Sequence, residues 1–581
     1  MKRQVKVEST ADAYLELLTA RGVEYLFGNG GTDFGPLIDA YARRLEQGDP
    51  CPQPVTVPHE IVAVSMAHGH AMVTGRPQAV MVHTVAGTAN AIGGLINANR
   101  SQVPMFFSAG RTPLTEGDLR GARDMHIHWA QESFDQGSMA REWVKWDYEL
   151  RHGADLEGVV DRALAICASE PYGPVYLTLP REVLAEDRDT FDYDERPRQS
   201  PSVSVAAPES IAEVAALLVG ARNPIIITRS AGKDPAAVPA LTRLAEALAI
   251  PVFDPYPTHV NMAHTHGLYQ ATDPSAALAD ADVVVVIESD VPWTPKRQGP
   301  ATDATVVAVG ADPLFARYPV RGFAAHVCLA GSTARNLSAL ADAVGAAAAG
   351  VGGGGGAGAA RAVGTQAVGA RQARWQAEHE RLIAAADGRA EAGRAASGLD
   401  KAWVSACMEE LRTPDTIVVN ELGFDTAQLR FSEPGTFFGV SGAGVLGWGT
   451  GAALGAKLAA PERTVVACIG DGSYLFGAPS TAHWLSRKMD LPVLYLVWNN
   501  AQWGAVRGAT RMVYPNGWAV KTGDFPFSDL GPALDLEMIC QSAGGYGERV
   551  EDPAEVPAAL ERALKAVQVE GRQAVLNLVA H

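Results

Sequence analysis

The sequence contains no CxxC pair, no uninterrupted apolar run of membrane-spanning length and no excess of basic residues. Each shortage removes a class of protein. Its six cysteines, Cys51, Cys167, Cys328, Cys407, Cys468 and Cys540, are scattered. Neither a disulfide framework nor a thiolate metal site is therefore expected; reduced thiols in a cytoplasmic protein are. A net charge of −17 has the wrong sign for a nucleic-acid or anionic-membrane partner. The opening MKRQVKVEST is basic but lacks an apolar core, so no signal peptide is expected. What the chain does have is 47% hydrophobic residues over 581 positions, enough for three or four domains with ample cores.

Apolar, β-branched runs alternate with helical patterns along most of this length. In residues 1–190, strands are expected near Glu24–Gly28, Gln78–Thr84, Pro104–Gly110 and Pro174–Pro180. In residues 203–345 they are expected at Pro224–Thr228, Ala281–Ser289 and Thr305–Asp312. Residues 346–371 are rich in Ala and Gly, with five glycines at 352–356, the composition of a mobile linker. A helical pattern from Gln372 leads into a third α/β unit over 400–581. No short internal repeat is visible.

The stretch Thr464–Arg507 carries the clearest chemistry. Thr464–Ile469 has the pattern of a strand buried on both faces, and it ends in a Gly470-Asp471-Gly472 turn. A helix with Pro479 in its first turn and Arg487 and Lys488 in its last should follow. A second buried strand, Leu491–Trp498, then ends in Asn499-Asn500. Both motifs fall at the C-terminal ends of parallel strands, where open α/β sheets bind ligands. A carboxylate, an amide oxygen and a backbone carbonyl suit Mg²⁺, and the Gly-rich turn offers N–H groups to phosphate. Elsewhere, Val55-Thr56-Val57 runs into Pro58-His59-Glu60 and a helix expected to end at Gly75; taken alone, Glu60 reads as an acidic first-turn residue.

Gly470-Asp471-Gly472, 26 residues (473–498), then Asn499-Asn500 resembles the thiamine-diphosphate motif of the 2-oxo-acid decarboxylase and acetolactate synthase superfamily. The segment VHTVAGTANA (82–91), the loop Phe27-Gly28-Asn29-Gly30-Gly31-Thr32, VKWDYEL (144–150) and GPVYLTLP (173–180) are similar to benzoylformate decarboxylases. The resemblance spans essentially the whole chain. It implies three doubly wound parallel-sheet domains: pyrimidine-binding, central and diphosphate-binding. It also implies bound thiamine diphosphate and Mg²⁺, and a homodimer or homotetramer with shared active sites. The diphosphate would lie on Gly470, Asp471, Gly472, Ser473, Asn500 and Gln502, and the metal on Asp471, Asn500 and Gln502. Leu446 would wedge beneath the cofactor, and the Gly444 carbonyl would take its 4′-amino group. Glu60 would hold the ring nitrogen N1′, driving the tautomer that removes the C2 proton to give the ylid. His83 would relay protons. Thr32, standing where the family has a Ser, would contact substrate together with His128, Trp503 and the segment Thr510–Trp518, which is expected to be irregular.

The departures decide the reaction expected. The central-domain stretch Asp290–Lys296 carries no His where benzoylformate decarboxylases have one, while Gln131-Glu132 resembles acetolactate synthases. With a proton donor missing, the enamine is expected to attack an acceptor carbonyl. The sequence thus predicts an acetolactate-synthase-like lyase or carboligase acting on 2-oxo acids, with simple decarboxylation as the alternative. No central-domain stretch matches a flavin site, so FAD is left open. Gly442, Gly444 and Gly447 also fit GxGxxG, the spacing of a dinucleotide-binding dehydrogenase, but that alternative explains neither Glu60 nor the Asn pair.

Overall fold

The computed structural model describes residues 1–350 and 358–580; the five glycines at 352–356 lie outside the described residues. The N-terminal domain contains β1 (Lys2–Lys6), β2 (Tyr25–Asn29), β3 (Gln53–Thr56), β4 (Ala79–Val82), β5 (Met105–Arg111), β6 (Asp147–Glu149), β7 (Pro174–Pro180) and β8 (Thr190–Asp194). Six of these make a parallel sheet in the order β3-β2-β4-β5-β7-β6, while β1 and β8 pair antiparallel. The central domain adds β9 (Pro224–Thr228), β10 (Val252–Phe253), β11 (Val283–Ile287), β12 (Thr305–Gly310) and β13 (Val327–Ala330), a parallel sheet in the order β10-β9-β11-β12-β13. The third sheet holds β14 (Ile417–Glu421), β15 (Phe437–Gly439), β16 (Val465–Gly470), β17 (Leu494–Asn499), β18 (Tyr546–Val550) and β19 (Ala574–Val579), in the order β15-β14-β16-β17-β19-β18.

The expected α/β class holds, and the expected bounds of β7 and β9 are met at both ends. Continuous burial explains why these runs were legible: all five residues of β11, VVVVI, are buried. Ranked along the chain, the first and third sheets share one strand order, 2-1-3-4-6-5, although no repeat is visible in the sequence. Two other readings need correction. Within the described residues, 346–350 and 358–371 are helical, belonging to Thr333–Gly350 and Gly358–Arg394. Alanine, the strongest helix former, outweighs glycine there. The segment Thr510–Trp518, expected to be irregular, is helical up to Val513 within Gly504–Val513, and a second helix starts at Trp518.

By packing, the chain divides into two compact units. Residues 1–202 group with 440–549 and 563–577; residues 203–439 group with 550–562 and the C-terminal residues from Leu578. The first unit is built around two helices, Glu60–Thr74 and Trp448–Ala459, that meet along glycines. A Cβ at Gly69 would lie 2.0 Å from the Ala452 carbonyl oxygen, and one at Gly455 would lie 2.0 Å from that of Met66. The backbones therefore touch with no side chain between them. Beside this contact the His68 and Trp448 rings meet edge to face, 5.5 Å between centroids. Gly455→Val should cost at least the roughly 1–3 kcal/mol of an overpacked core. Chemical unfolding measures it, and an unchanged midpoint would mean that the helices are not in backbone contact.

Candidate active site

Three carboxyl-end turns of the first sheet converge on one cavity of about 500 Å³, lined by Asn29, Gly30, Glu60, His83, Ala86, Gly87, Ala89 and Asn90. Glu60 opens its helix with His59 as N-cap, and the helix ends at Gly75 in the left-handed region (φ 70°), as expected. The Glu60 carboxylate does not cap its own helix. Asn29, at the end of β2, donates to Oε1 at 2.7 Å, and Asn90 donates to Oε2 at 2.5 Å. Glu60 is only 7% exposed, so two neutral amides hold its carboxyl group in a nearly dry wall. Gly87 lies in the first turn of the helix Thr84–Arg100, where a Cβ would lie 2.8 Å from the Val82 Cβ and 3.3 Å from Glu60 Oε1, so glycine is kept there chiefly by Val82.

His83 follows β4 and begins a chain of contacts absent from the sequence reading. Its Nδ1 lies 2.5 Å from Asp33 Oδ1, and its Nε2 lies 3.3 Å from Gln131 Nε2. The hydrogen bond to Asp33 raises the His83 pKa above its ordinary value, against the opposing effect of burial. Nδ1 thus keeps its proton toward Asp33, and Nε2 faces Gln131. Gln131 Oε1 is buried without a partner, so an amide flip would let it accept from a protonated Nε2 as readily as its NH₂ donates to a neutral one. The next residue, Thr84, is β-branched yet has φ 37°, and its N–H reaches Asp33 Oδ2 at 3.4 Å. Such strain gathers where the surroundings over-determine the backbone.

His128 is buried, with its ring 3.5 Å from the Thr32 hydroxyl, whereas His126 is exposed. The N–H groups of Asp124 and Met125 approach His128 Nδ1 at 3.3 and 3.4 Å, which places its proton on Nε2, toward Thr32. Burial, together with Arg181, lowers the His128 pKa and keeps the ring neutral. Arg181, at the end of β7, donates to the carbonyls of Thr32, Gly121 and Ala122 and ties both loops together. Asp33 and Arg181 went unnoticed in the sequence. Their signal was position alone, an ionisable residue just past the carboxyl end of a strand.

The second half lies in the same compact unit. Asn97, buried in the helix Thr84–Arg100, donates to the Val445 carbonyl at 2.8 Å and accepts from the Val445 N–H at 3.3 Å. This exchange fixes the turn carrying Gly444, at φ 63°, and the half-buried Leu446. The Gly470-Asp471-Gly472 turn needs correction: Asp471 begins a short helix, Asp471–Phe476, with Gly470 as its N-cap. A Cβ at Gly472 would lie 2.2 Å from the Trp503 ring, so glycine is required there by Trp503 packing. Ser473 is buried and accepts from the Gly477 N–H through its carbonyl. The Asn pair splits in function. Asn499 is buried and donates to the Leu534 carbonyl and to Asn577. Asn500 is half-buried and accepts from the Gln502 N–H at 3.2 Å, with Ala501 between them at φ 51°.

Does this half fit a cation? Asp471 Oδ1 accepts from the Gly472 N–H at 2.8 Å, but Oδ2 is buried without any partner. Burial raises the Asp471 pKa, partly offset by the N–H groups of Gly472, Ala501 and Gln502. A desolvated carboxylate with an orphaned oxygen, beside an amide oxygen and backbone carbonyls, is a donor set that a hard dication satisfies. No cluster of three His, Cys, Asp or Glu suited to a metal exists among the described residues, so softer ions find no comparable site.

Family models for thiamine pyrophosphate enzymes match all three domains. The N-terminal binding domain spans 8–139, the central domain 211–340 and the C-terminal binding domain 421–576. The chain belongs to the thiamine pyrophosphate enzyme family. Among its relatives, benzoylformate decarboxylase of Pseudomonas aeruginosa is 27% identical over 96% of this chain and 97% of that one. Acetolactate synthase isozyme 3 large subunit of Escherichia coli is 25% identical over 96% and 93%. The crystal structure of benzoylformate decarboxylase from Polynucleobacter necessarius superposes with TM-score 0.77 over 99% of both chains, at 20% identity, and so shares the fold. Membership of this family sets aside the dinucleotide-binding alternative. Among the described residues, no helix is long and apolar enough to cross a membrane.

Two outcomes are expected for this thiamine pyrophosphate enzyme. Asp471→Asn replaces the orphaned carboxylate oxygen with a neutral amide and should weaken Mg²⁺-dependent cofactor binding by more than about 100-fold in calorimetry. Asp33→Asn removes the charge that raises the His83 pKa. The limb of the kcat/KM profile that reports His83 should then move to lower pH, with turnover reduced by about 10²-fold. A profile that stays in place would leave Asp33 as a packing residue only.

Proposed function

We propose that the enzyme decarboxylates a 2-oxo acid and releases the corresponding aldehyde. The observation that carries this reading is a second histidine, His128, beside Thr32, the residue next to the Asp33 that holds His83. Carboligation was expected because the central domain lacks a histidine. That ground weakens once His128, from the loop after β5, comes within 3.5 Å of Thr32 Oγ1.

Thiamine diphosphate, when bound, supplies the electron sink for loss of CO₂. Glu60, held by Asn29 and Asn90, would bind the aminopyrimidine, and Asp471, Asn500 and the Gln502 carbonyl would hold Mg²⁺. The diphosphate would lie against Gly470, Gly472 and Ser473, and Leu446 and Gly444 would shape the cofactor's middle. The chain's own residues divide the proton work. His83, its pKa raised by its hydrogen bond to Asp33, would when protonated deliver the proton on Nε2 to the carbon that lost CO₂. His128 stays neutral and donates its Nε2–H toward the substrate oxygens, beside the Thr32 hydroxyl. Trp503, whose ring packs against Gly472, would contact substrate from the diphosphate-binding domain.

Carboligation is the second reading. It is supported by Gln131 on His83 Nε2, which can hold that proton back from carbon, and by the acetolactate synthase relatives. The reading carries with it a homodimer or homotetramer and a cytoplasmic location, the latter in keeping with six cysteines of which none is in a disulfide. A panel of 2-oxo acids, alone and with aldehyde acceptors, separates the two by product analysis. Free aldehyde should dominate, and His83→Ala should lower its formation by about 10- to 10³-fold while cofactor affinity persists. Predominant 2-hydroxyketone across the panel would move the assignment to carboligation.

A further inference from the structure

The order β10-β9-β11-β12-β13 reverses direction between β9 and β11, so a crevice is expected there at the carboxyl ends of the strands, the usual place for a nucleotide phosphate. In this chain the crevice holds two buried ion pairs. Glu288, the first residue after β11, is fully desolvated, and Lys233, from the turn after β9, donates to its Oε2 at 2.6 Å. Its Oε1 accepts from the Ala311 N–H at 2.9 Å and from the Thr333 hydroxyl at 2.6 Å, at the start of the helix Thr333–Gly350. Alongside, Arg229 holds Asp290 through both carboxylate oxygens at 2.7 and 2.9 Å, and the Tyr318 hydroxyl adds a third bond at 2.8 Å.

A lysine, a backbone N–H past a strand end and a hydroxyl at a helix start form the donor set that holds a phosphate group. Here the same donors hold a carboxylate from the chain itself. The arrangement is imposed rather than incidental. Glu288 adopts φ 45°, in the left-handed region. A Cβ at Gly310 would lie 3.0 Å from the Glu288 carboxyl carbon, so glycine keeps room for it. Burial alone would raise the Glu288 pKa, but Lys233, Thr333 and Ala311 outweigh burial and hold it below its ordinary value. The occupant is therefore an anion.

We propose that the central domain contains an anion cradle formed by Lys233, the Ala311 N–H and Thr333, that Glu288 fills it permanently as an internal substitute for a ligand phosphate, and that this crevice consequently takes no FAD or other nucleotide. Flavin, left open by the sequence, does not fit the residues present: its diphosphate would have to displace Glu288 and lie against Asp290. This inference concerns the central domain and is independent of the reaction proposed above.

The test uses the full-length holoenzyme, saturated with thiamine diphosphate and Mg²⁺, and reads binding and stability rather than turnover. Wild type should purify without flavin absorbance and show no saturable heat with FAD or ADP. Micromolar binding of either would overturn the proposal. Glu288→Ala empties the cradle, and inorganic sulfate is the probe. Its Tm should rise by roughly 3–5 °C at sulfate about tenfold above Kd, beyond any rise in wild type. The added change Lys233→Met should abolish that response. If Glu288→Ala does not fold, the near-isosteric Glu288→Gln, which removes the negative charge facing Lys233, is read in the same way. A folded variant with no more sulfate response than wild type would show that the cradle binds no anion.

Discussion

When two neighbouring parallel strands send their connections to opposite sides, nothing in the backbone closes the gap between their carboxyl ends. That constraint occurs in each of the three sheets, and each gap is filled differently. In the first it lies between β2 and β4, whose ends supply Asn29 and His83, and Glu60 sits in it as a carboxylate clamped by amides. In the third, β16 ends in Asp471 with one carboxylate oxygen left without a partner. In the central sheet the gap is closed by Glu288 and Lys233. One topological opening thus presents a carboxylate in three different settings. The difference depends on whether the carboxylate found there is hydrogen-bonded, orphaned or ion-paired.

Much of this was legible in the sequence, for a definite reason. Strands such as β7, β9 and β11 are buried on both faces, so they read as continuous apolar runs with sharp ends. Glu60, Asp471 and Asn500 stood out because each is a polar residue just past an apolar strand, in a motif that resembles the family's. Asp33, Arg181 and the placement of His128 were not legible. Each works through a partner far away in sequence: Asp33 through His83, Arg181 through Gly121 and Ala122, and His128 through Thr32. Periodicity reports which face of an element is buried but not which two loops meet. The same limit hid the common strand order of the first and third sheets, because a fold needs only a pattern of burial, and many unrelated sequences supply it.

The reading of Gly470-Asp471-Gly472 failed more instructively. Glycine was assigned to a tight turn near phosphate, whereas Gly472 is needed beneath the Trp503 ring and Gly470 has no neighbour within 4 Å of an added Cβ. A helix of six residues carries too little periodicity to announce itself, and its start is fixed by tertiary packing rather than by propensity.

The glycine contact between the helices Glu60–Thr74 and Trp448–Ala459 has a mechanical consequence. Side chains between helices can change rotamer and let a spacing drift; backbone against backbone has no such freedom. At Gly69 and Gly455 the spacing between the two helices is set by contact of backbone with backbone. Glu60 opens one of these helices and the turn carrying Gly444 and Leu446 leads into the other, so the two elements keep a gauge of fixed length. The loops bearing Thr32, His128 and Trp503 could diverge in shape and chemistry without altering that length, so specificity and cofactor geometry can vary independently.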